Sequence, residues 1–104
     1  MPAVCREGDA LSTGHGCAAS TTIDTSNTDG TVKANGINII VIGAPTVAHA
    51  FPPDCATNHV DTLKAGSGTV KVNGIAVGRV GDAADAGDPP AGAMTAGSGN
   101  VFAG

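Results

Sequence analysis

Asp29-Gly-Thr-Val-Lys-Ala-Asn-Gly-Ile-Asn-Ile-Ile-Val-Ile-Gly-Ala44 aligns without a gap on Ser67-Gly-Thr-Val-Lys-Val-Asn-Gly-Ile-Ala-Val-Gly-Arg-Val-Gly-Asp82. These are two copies of one unit. A third copy begins at Ser98-Gly-Asn-Val-Phe-Ala-Gly104, and its continuation lies at the opposite end of the chain, where Arg6-Glu-Gly-Asp9 matches Arg79-Val-Gly-Asp82. The chain therefore reads as three units, one of them divided between its two ends.

Each complete unit carries a hairpin signal. Asn35-Gly36 and Asn73-Gly74 are the dipeptides favoured in two-residue type I′ turns, whose central residues need φ > 0. Pairing across the second turn sets Val72 opposite Ile75 and Val70 opposite Val77 on one face, with Lys71 and Ala76 on the other. The first turn gives Ala34 with Ile37 and Val32 with Ile39, and leaves Lys33 and Asn38 outside. Alternation with a period of two marks a half-buried sheet. A chance Asn-Gly in a surface loop explains one such dipeptide, but not two at equivalent positions.

Composition narrows the class. At 104 residues the chain is one domain, residues 1–104. Its aromatic residues are Phe51 and Phe102 alone, and the apolar remainder is mostly Ala, Val and Ile, so the core is thin. Domains of this size often need a metal or a disulfide to hold them. Sixteen glycines argue for many tight turns and against a helical bundle. A formal net charge of −4 with five basic residues speaks against a nucleic-acid binder, which wants a basic patch. No apolar run has the length of a membrane span, and Met1-Pro-Ala-Val-Cys-Arg-Glu-Gly-Asp9 has no signal-peptide core.

Between the hairpins run long segments of small residues, 10–28, 45–65 and 83–97, and the first two hold all three histidines. In Val47-Ala-His-Ala-Phe-Pro-Pro-Asp-Cys-Ala-Thr-Asn-His-Val60, five residues separate His49 from Cys55 and three separate Cys55 from His59. One short loop can aim two imidazoles and a thiolate at a point, and zinc accepts that mixture, usually with four ligands. The remaining histidine is His15, in Ser12-Thr-Gly-His-Gly-Cys17. The expectation is one closed zinc site made by His15, His49, Cys55 and His59, with Cys17 as the competing thiolate. The plainer alternative is a set of surface histidines and buried small cysteines. With Cys55 on a metal, Cys5 and Cys17 are left either as a disulfide or as two free thiols. Three similar hairpins with their long loops leaving on one side imply a cone, with the metal near its apex and sheet edges at its base.

The Arg-x-Gly-Asp near the start, the His-Gly of the first loop, the Asn-Gly hairpins ending in Arg79-Val80-Gly81-Asp82 and the closing Gly-Ser-Gly-Asn-Val-Phe resemble PAAR-repeat proteins. Those are the conical tips of contractile injection machines, namely type VI secretion systems and related phage tails. The resemblance covers nearly the whole chain. It implies a small all-β cone with one zinc held by three histidines and one cysteine, here His15, His49, Cys55 and His59, and a base that docks on a trimeric β-helical spike. The tetrapeptide that names the family is degenerate: Ala76-Val77-Gly78-Arg79 keeps only its arginine, Asn38-Ile39-Ile40-Val41 keeps none of it, and the Gly-Asp after the first hairpin is replaced by Gly43-Ala44.

The function this implies is structural: a zinc-stapled tip that caps and sharpens a membrane-piercing spike, with Val32, Ile39, Val70, Val77 and Val101 nearest the docking surface. It implies a chain held in the bacterial cytoplasm before assembly and then delivered outward, or carried on a phage tail baseplate. The alternative is a stand-alone zinc-stabilised module, or an adaptor carrying an effector, with some other partner. An enzyme is not expected. A catalytic zinc keeps an open position and usually a carboxylate base, whereas Glu7 is the one glutamate, the zinc-deaminase pattern is absent, and Asp54 and Asp61 read as turn residues.

Overall fold

A computed structural model of the chain describes all residues except 15, 29, 52–54 and 85–91, together with the side chain of Phe51. It is all-β: nine short strands and no helix among the described residues, with every pairing between them antiparallel. Among the described residues no helix is long and apolar enough to cross a membrane. The strands are β1 (Ala10–Ser12), β2 (Ser20–Thr22), β3 (Lys33–Ala34), β4 (Ile37–Asn38), β5 (His49–Phe51), β6 (Thr57–His59), β7 (Lys71–Val72), β8 (Ile75–Ala76) and β9 (Ala93–Met94).

The Asn-Gly turns form as their chemistry requires. Asn35, Gly36, Asn73 and Gly74 all have positive φ, between 52° and 80°. They set the registers Lys33 with Asn38 and Ala34 with Ile37 in one hairpin, and Lys71 with Ala76 and Val72 with Ile75 in the other. The third hairpin joins the two ends of the chain: Ala3 bridges Phe102, and the Ala103 N–H donates to the Pro2 carbonyl.

The three units meet in a closed ring of hydrogen bonds. The Cys5 N–H donates to the Gly78 carbonyl at 2.9 Å, Gly78 to Ile40 at 2.9 Å, and Ile40 to Cys5 at 3.1 Å. These are the same position in the three copies, so a single chain builds a threefold-like arrangement about one axis. The copies repeat elsewhere too. Gly8, Gly43 and Gly81 turn with φ of 82°, 96° and 92° and donate to Ile23, Leu63 and Met94 in that order. Gly78 lends its space to a neighbour, since a Cβ there would lie 3.0 Å from Ile40 Cγ1.

Beyond this ring, six segments close a second, wider one. β1 pairs β2, Ile23 bridges Thr46, Pro45 bridges Thr62, Leu63 bridges Ala84, Ala83 bridges Ala93, and β9 returns to β1 with Met94 opposite Leu11. Closure leaves this small barrel without a free edge. Its interior is Leu11, Ile23, Ile40, Ala44, Leu63, Ala84 and Met94, all essentially inaccessible to water, with Cys5 beside them. The ends of the segments read from sequence as long loops are thus barrel wall. They escape a periodicity reading because each contributes only two or three residues.

A second apolar cluster, Val4, Ala34, Ile39, Val41, Val72, Val77 and Ala103, lies on the hairpin side. The expected half-buried face is corrected here. The register is as anticipated, but each pair divides: Val72 and Val77 are buried while their partners Ile75 and Val70 are each 40% exposed. Two-residue strands twist too strongly to keep one face flat on a core. Ile39 and Val77 therefore belong to the interior and not to a docking surface, and Val101 packs against the same cluster. The exposed apolar side chains on this side are Val32, Ile37, Val70, Ile75 and Phe102.

Side chains pin the junctions. The Asp82 carboxylate accepts the Arg79 backbone N–H at 2.8 Å and is forked by the guanidinium at 3.0 and 2.9 Å; Asp9 holds Arg6 in the same way. In the middle copy Ala44 has no carboxylate, and Asn27 Nδ2 instead donates to the Ile42 carbonyl at 3.0 Å. A serine opens two of the units: Ser67 Oγ accepts the N–H groups of Thr69 and Val70, and Ser98 Oγ accepts those of Asn100 and Val101. Both serines are buried. Ser67→Ala and Ser98→Ala should each cost about 1–2 kcal/mol, because two backbone donors lose their acceptor away from water. Urea unfolding of the variants checks this, and a midpoint equal to the parent's contradicts it.

Candidate metal centre and disulfide

The barrel carries two further hairpins. β1 and β2 flank the segment with Cys17, and β5 and β6 flank the segment with Cys55. The second hairpin is held beside the first, because Ile23 bridges Thr46 and the Val47 N–H donates to the Thr22 carbonyl. Within it the register places His49 directly opposite His59. Directly opposed side chains are cross-strand neighbours, and here the two rings meet edge to face with centroids 4.4 Å apart.

Their nitrogens converge. His49 Nε2 and His59 Nε2 are 2.8 Å apart, and His49 Nδ1 is 2.7 Å from the Val47 carbonyl. A carbonyl only accepts, so His49 carries its proton on Nδ1 and presents a lone pair at Nε2. A backbone carbonyl that fixes the tautomer in this way is the usual outer support of a metal-binding histidine. Without a metal the same geometry works as a hydrogen bond, with His59 Nε2–H donating to His49. His49 is buried and His59 half-buried, so this junction is shielded on one side.

Near His59 lies Asp61, which bonds Lys64 Nζ at 2.6 Å and accepts the Thr62 N–H at 2.8 Å. Burial works against its charge, but Lys64, the Thr62 N–H and the nearby His59 together hold its carboxyl below the usual carboxylate range. Any stability it adds is complete above that range and fades as pH falls through the lowered value.

The sulfurs are arranged differently from the expectation. Cys17 and Cys55 form a disulfide with their Cα atoms 5.4 Å apart, within the ordinary span of such a bond. With Cys17 paired to Cys55, Cys5 is left alone. Cys5 is buried, and its thiol donates to the Ala96 carbonyl. Burial, then the charges of Asp9 and Asp82, push its pKa up to about 12, which makes it inert.

The four expected zinc ligands divide accordingly. His49 and His59 are brought together by β5 and β6. Cys55 sits between them in sequence with its sulfur bonded to Cys17. His15 lies outside the described residues. Among the described residues no group of three or more His, Cys, Asp or Glu side chains gathers to hold a metal ion. The donor chemistry fits zinc at the imidazole pair, and fits at Cys55 only when its sulfur is a free thiolate. The sequence reading missed the register that sets His49 opposite His59. No family model matches the chain, and no curated protein matches it.

Proposed function

We propose that this chain is the structural tip of a contractile injection machine, a PAAR-like cap on the end of a trimeric β-helical spike, stapled by zinc. The observation that carries this reading is the cyclic hydrogen bonding of Cys5, Ile40 and Gly78. It gives a single chain three nearly equivalent faces about one axis. A monomer built in this way can meet each chain of a trimer alike, whereas a subunit without internal repetition would fit one chain well and the other two poorly. The hairpin side supplies apolar groups for such a contact: Val32 with Ile37, Val70 with Ile75, and Phe102 in the copy made from the chain ends. Contact with the spike would cover them together with the hairpin edges.

At the other end, His49 and His59 would hold zinc through Nε2, with His15 and the Cys55 thiolate completing the set. The metal would supply a four-ligand crosslink between two hairpins whose connecting segments are poor in apolar anchors. Two features support this: the Val47 carbonyl orients the His49 imidazole, and the β5–β6 register sets His59 opposite it.

Mixing the chain with a trimeric spike protein from the same genome and weighing the complex by native mass spectrometry should give one tip per three spike chains. Ile37→Asp combined with Ile75→Asp should weaken binding by at least about 100-fold, since two charges would be buried without partners. Three tips per trimer, or a stable homotrimer of the free chain, would sink the cap reading.

A further inference from the structure

We propose that Cys17 and Cys55 are a redox pair that exchanges one staple for another, so that the tip holds zinc when both thiols are reduced and a disulfide when they are oxidised. The inference rests on the zinc reading given above. The two states compete for one atom. Cys55 Sγ is the sulfur that the ligand spacing assigns to the metal, and it is also the sulfur bonded to Cys17. A sulfur in a disulfide has lost the anionic lone pair that makes a thiolate a strong zinc ligand.

Three further features suit an exchange. Both cysteines are exposed, so a soluble disulfide can reach them. Both already sit in the left-handed backbone region, Cys17 at φ 74° and Cys55 at φ 57°, a conformation that side-chain-bearing residues seldom adopt unless their surroundings hold them there. The third cysteine cannot interfere, because Cys5 is buried in the barrel with its thiol on the Ala96 carbonyl. Either staple ties the same two segments, the one between β1 and β2 and the one between β5 and β6. A tip assembled in a reducing compartment and delivered into an oxidising one would keep its end closed throughout.

The chemistry balances with a small organic disulfide, such as oxidised glutathione, as the oxidant. The Cys17 thiol gives up its proton and its sulfur attacks one sulfur of the oxidant, forming a mixed disulfide and expelling one thiolate. The Cys55 thiolate then attacks the Cys17 sulfur, forming the Cys17–Cys55 bond and expelling the second thiolate. Two electrons pass to the oxidant. Its two thiolates take up two protons, one from Cys17 and one from solvent, and the divalent cation leaves for water as Cys55 withdraws.

The test begins with the full chain purified under reducing conditions with zinc, counting zinc by elemental analysis and thiols after denaturation. About one zinc and three thiols per chain are expected. Oxidised glutathione should then remove two thiols and lower bound zinc at least about tenfold, and a dithiol reductant with zinc should restore both. Cys17→Ser should bind zinc when reduced and keep it in oxidised glutathione. A reduced chain that binds no zinc overturns the zinc reading and this exchange together. A chain that binds zinc when reduced and keeps it after losing two thiols overturns the exchange alone, as does equal zinc release from Cys17→Ser.

Discussion

Replacing Gly92 with alanine is expected to remove about 3 kcal/mol or more of folding stability, enough to leave a domain of this size barely folded. Gly92 lies where the barrel closes, its carbonyl accepting the Ala84 N–H at 3.0 Å while its Cα faces β1. A Cβ there would lie 2.6 Å from the Ala84 carbonyl oxygen and 2.8 Å from the Thr13 carbonyl carbon, and would press on the Ser12 oxygen as well. These are all backbone atoms, so no rotamer change relieves the clash. The barrel would have to open between β1 and residue 84. At Gly99 a Cβ would meet nothing within 4 Å, so Gly99→Ala should stay within about 0.5 kcal/mol of the parent. Thermal unfolding compares the two: a fall of more than about 12 °C for Gly92→Ala, and almost none for Gly99→Ala. Equal midpoints would mean that the barrel does not close at this place.

The second large effect belongs to the disulfide. Cys17 and Cys55 are 38 residues apart, and fixing a loop of that length in the unfolded chain is worth about 3–4 kcal/mol on a chain-entropy account. In the oxidised, metal-free protein, Cys17→Ser should lose that amount, seen as a lower denaturant midpoint in the presence of a chelator. The contribution is large because the rest of the structure has little to offer there. Around the two cysteines every described residue from 55 to 58 is exposed, and the barrel core ends at Leu11, Ile23 and Leu63. An oxidised parent and a Cys17→Ser variant with the same midpoint would mean that the crosslink is absent or idle.

What could be read in the residues depended on local chemistry. The hairpins at Asn35-Gly36 and Asn73-Gly74 were legible with their registers, because those dipeptides prefer the positive φ that the turns adopt. The divided third unit was legible too, since Ala3 does meet Phe102. The barrel was not. Its walls at 45–46, 62–63 and 83–84 are too short to show alternation, and their pairing is fixed by the closed ring beneath them. The site was less legible than the hairpins, since its cross-strand register was not read. The two histidines of one segment do face each other, but the pairing of Cys55 with Cys17 joins separate segments, and spacing carries no information about that. Burial within the hairpins was misread because alternation assumes a flat strand, and two residues do not make one.

The hairpin built from residues near 3 and 102 has a kinetic side. Its partners are separated by almost the whole chain, as are Val4 with Val101 and Cys5 with the Ala96 carbonyl. Contacts of such long range are slow to find, because the loop entropy of nearly the full length is lost before they give anything back. The two internal hairpins can form within microseconds of synthesis. The ring at Cys5, Ile40 and Gly78 has to wait for the last repeat to meet the first. Folding should therefore be limited by this one docking event. A short linker from residue 104 to residue 1, with new ends opened at Gly36, would make that encounter local and hand the long-range one to β3 and β4, so that folding would wait for the Lys33–Asn38 hairpin instead.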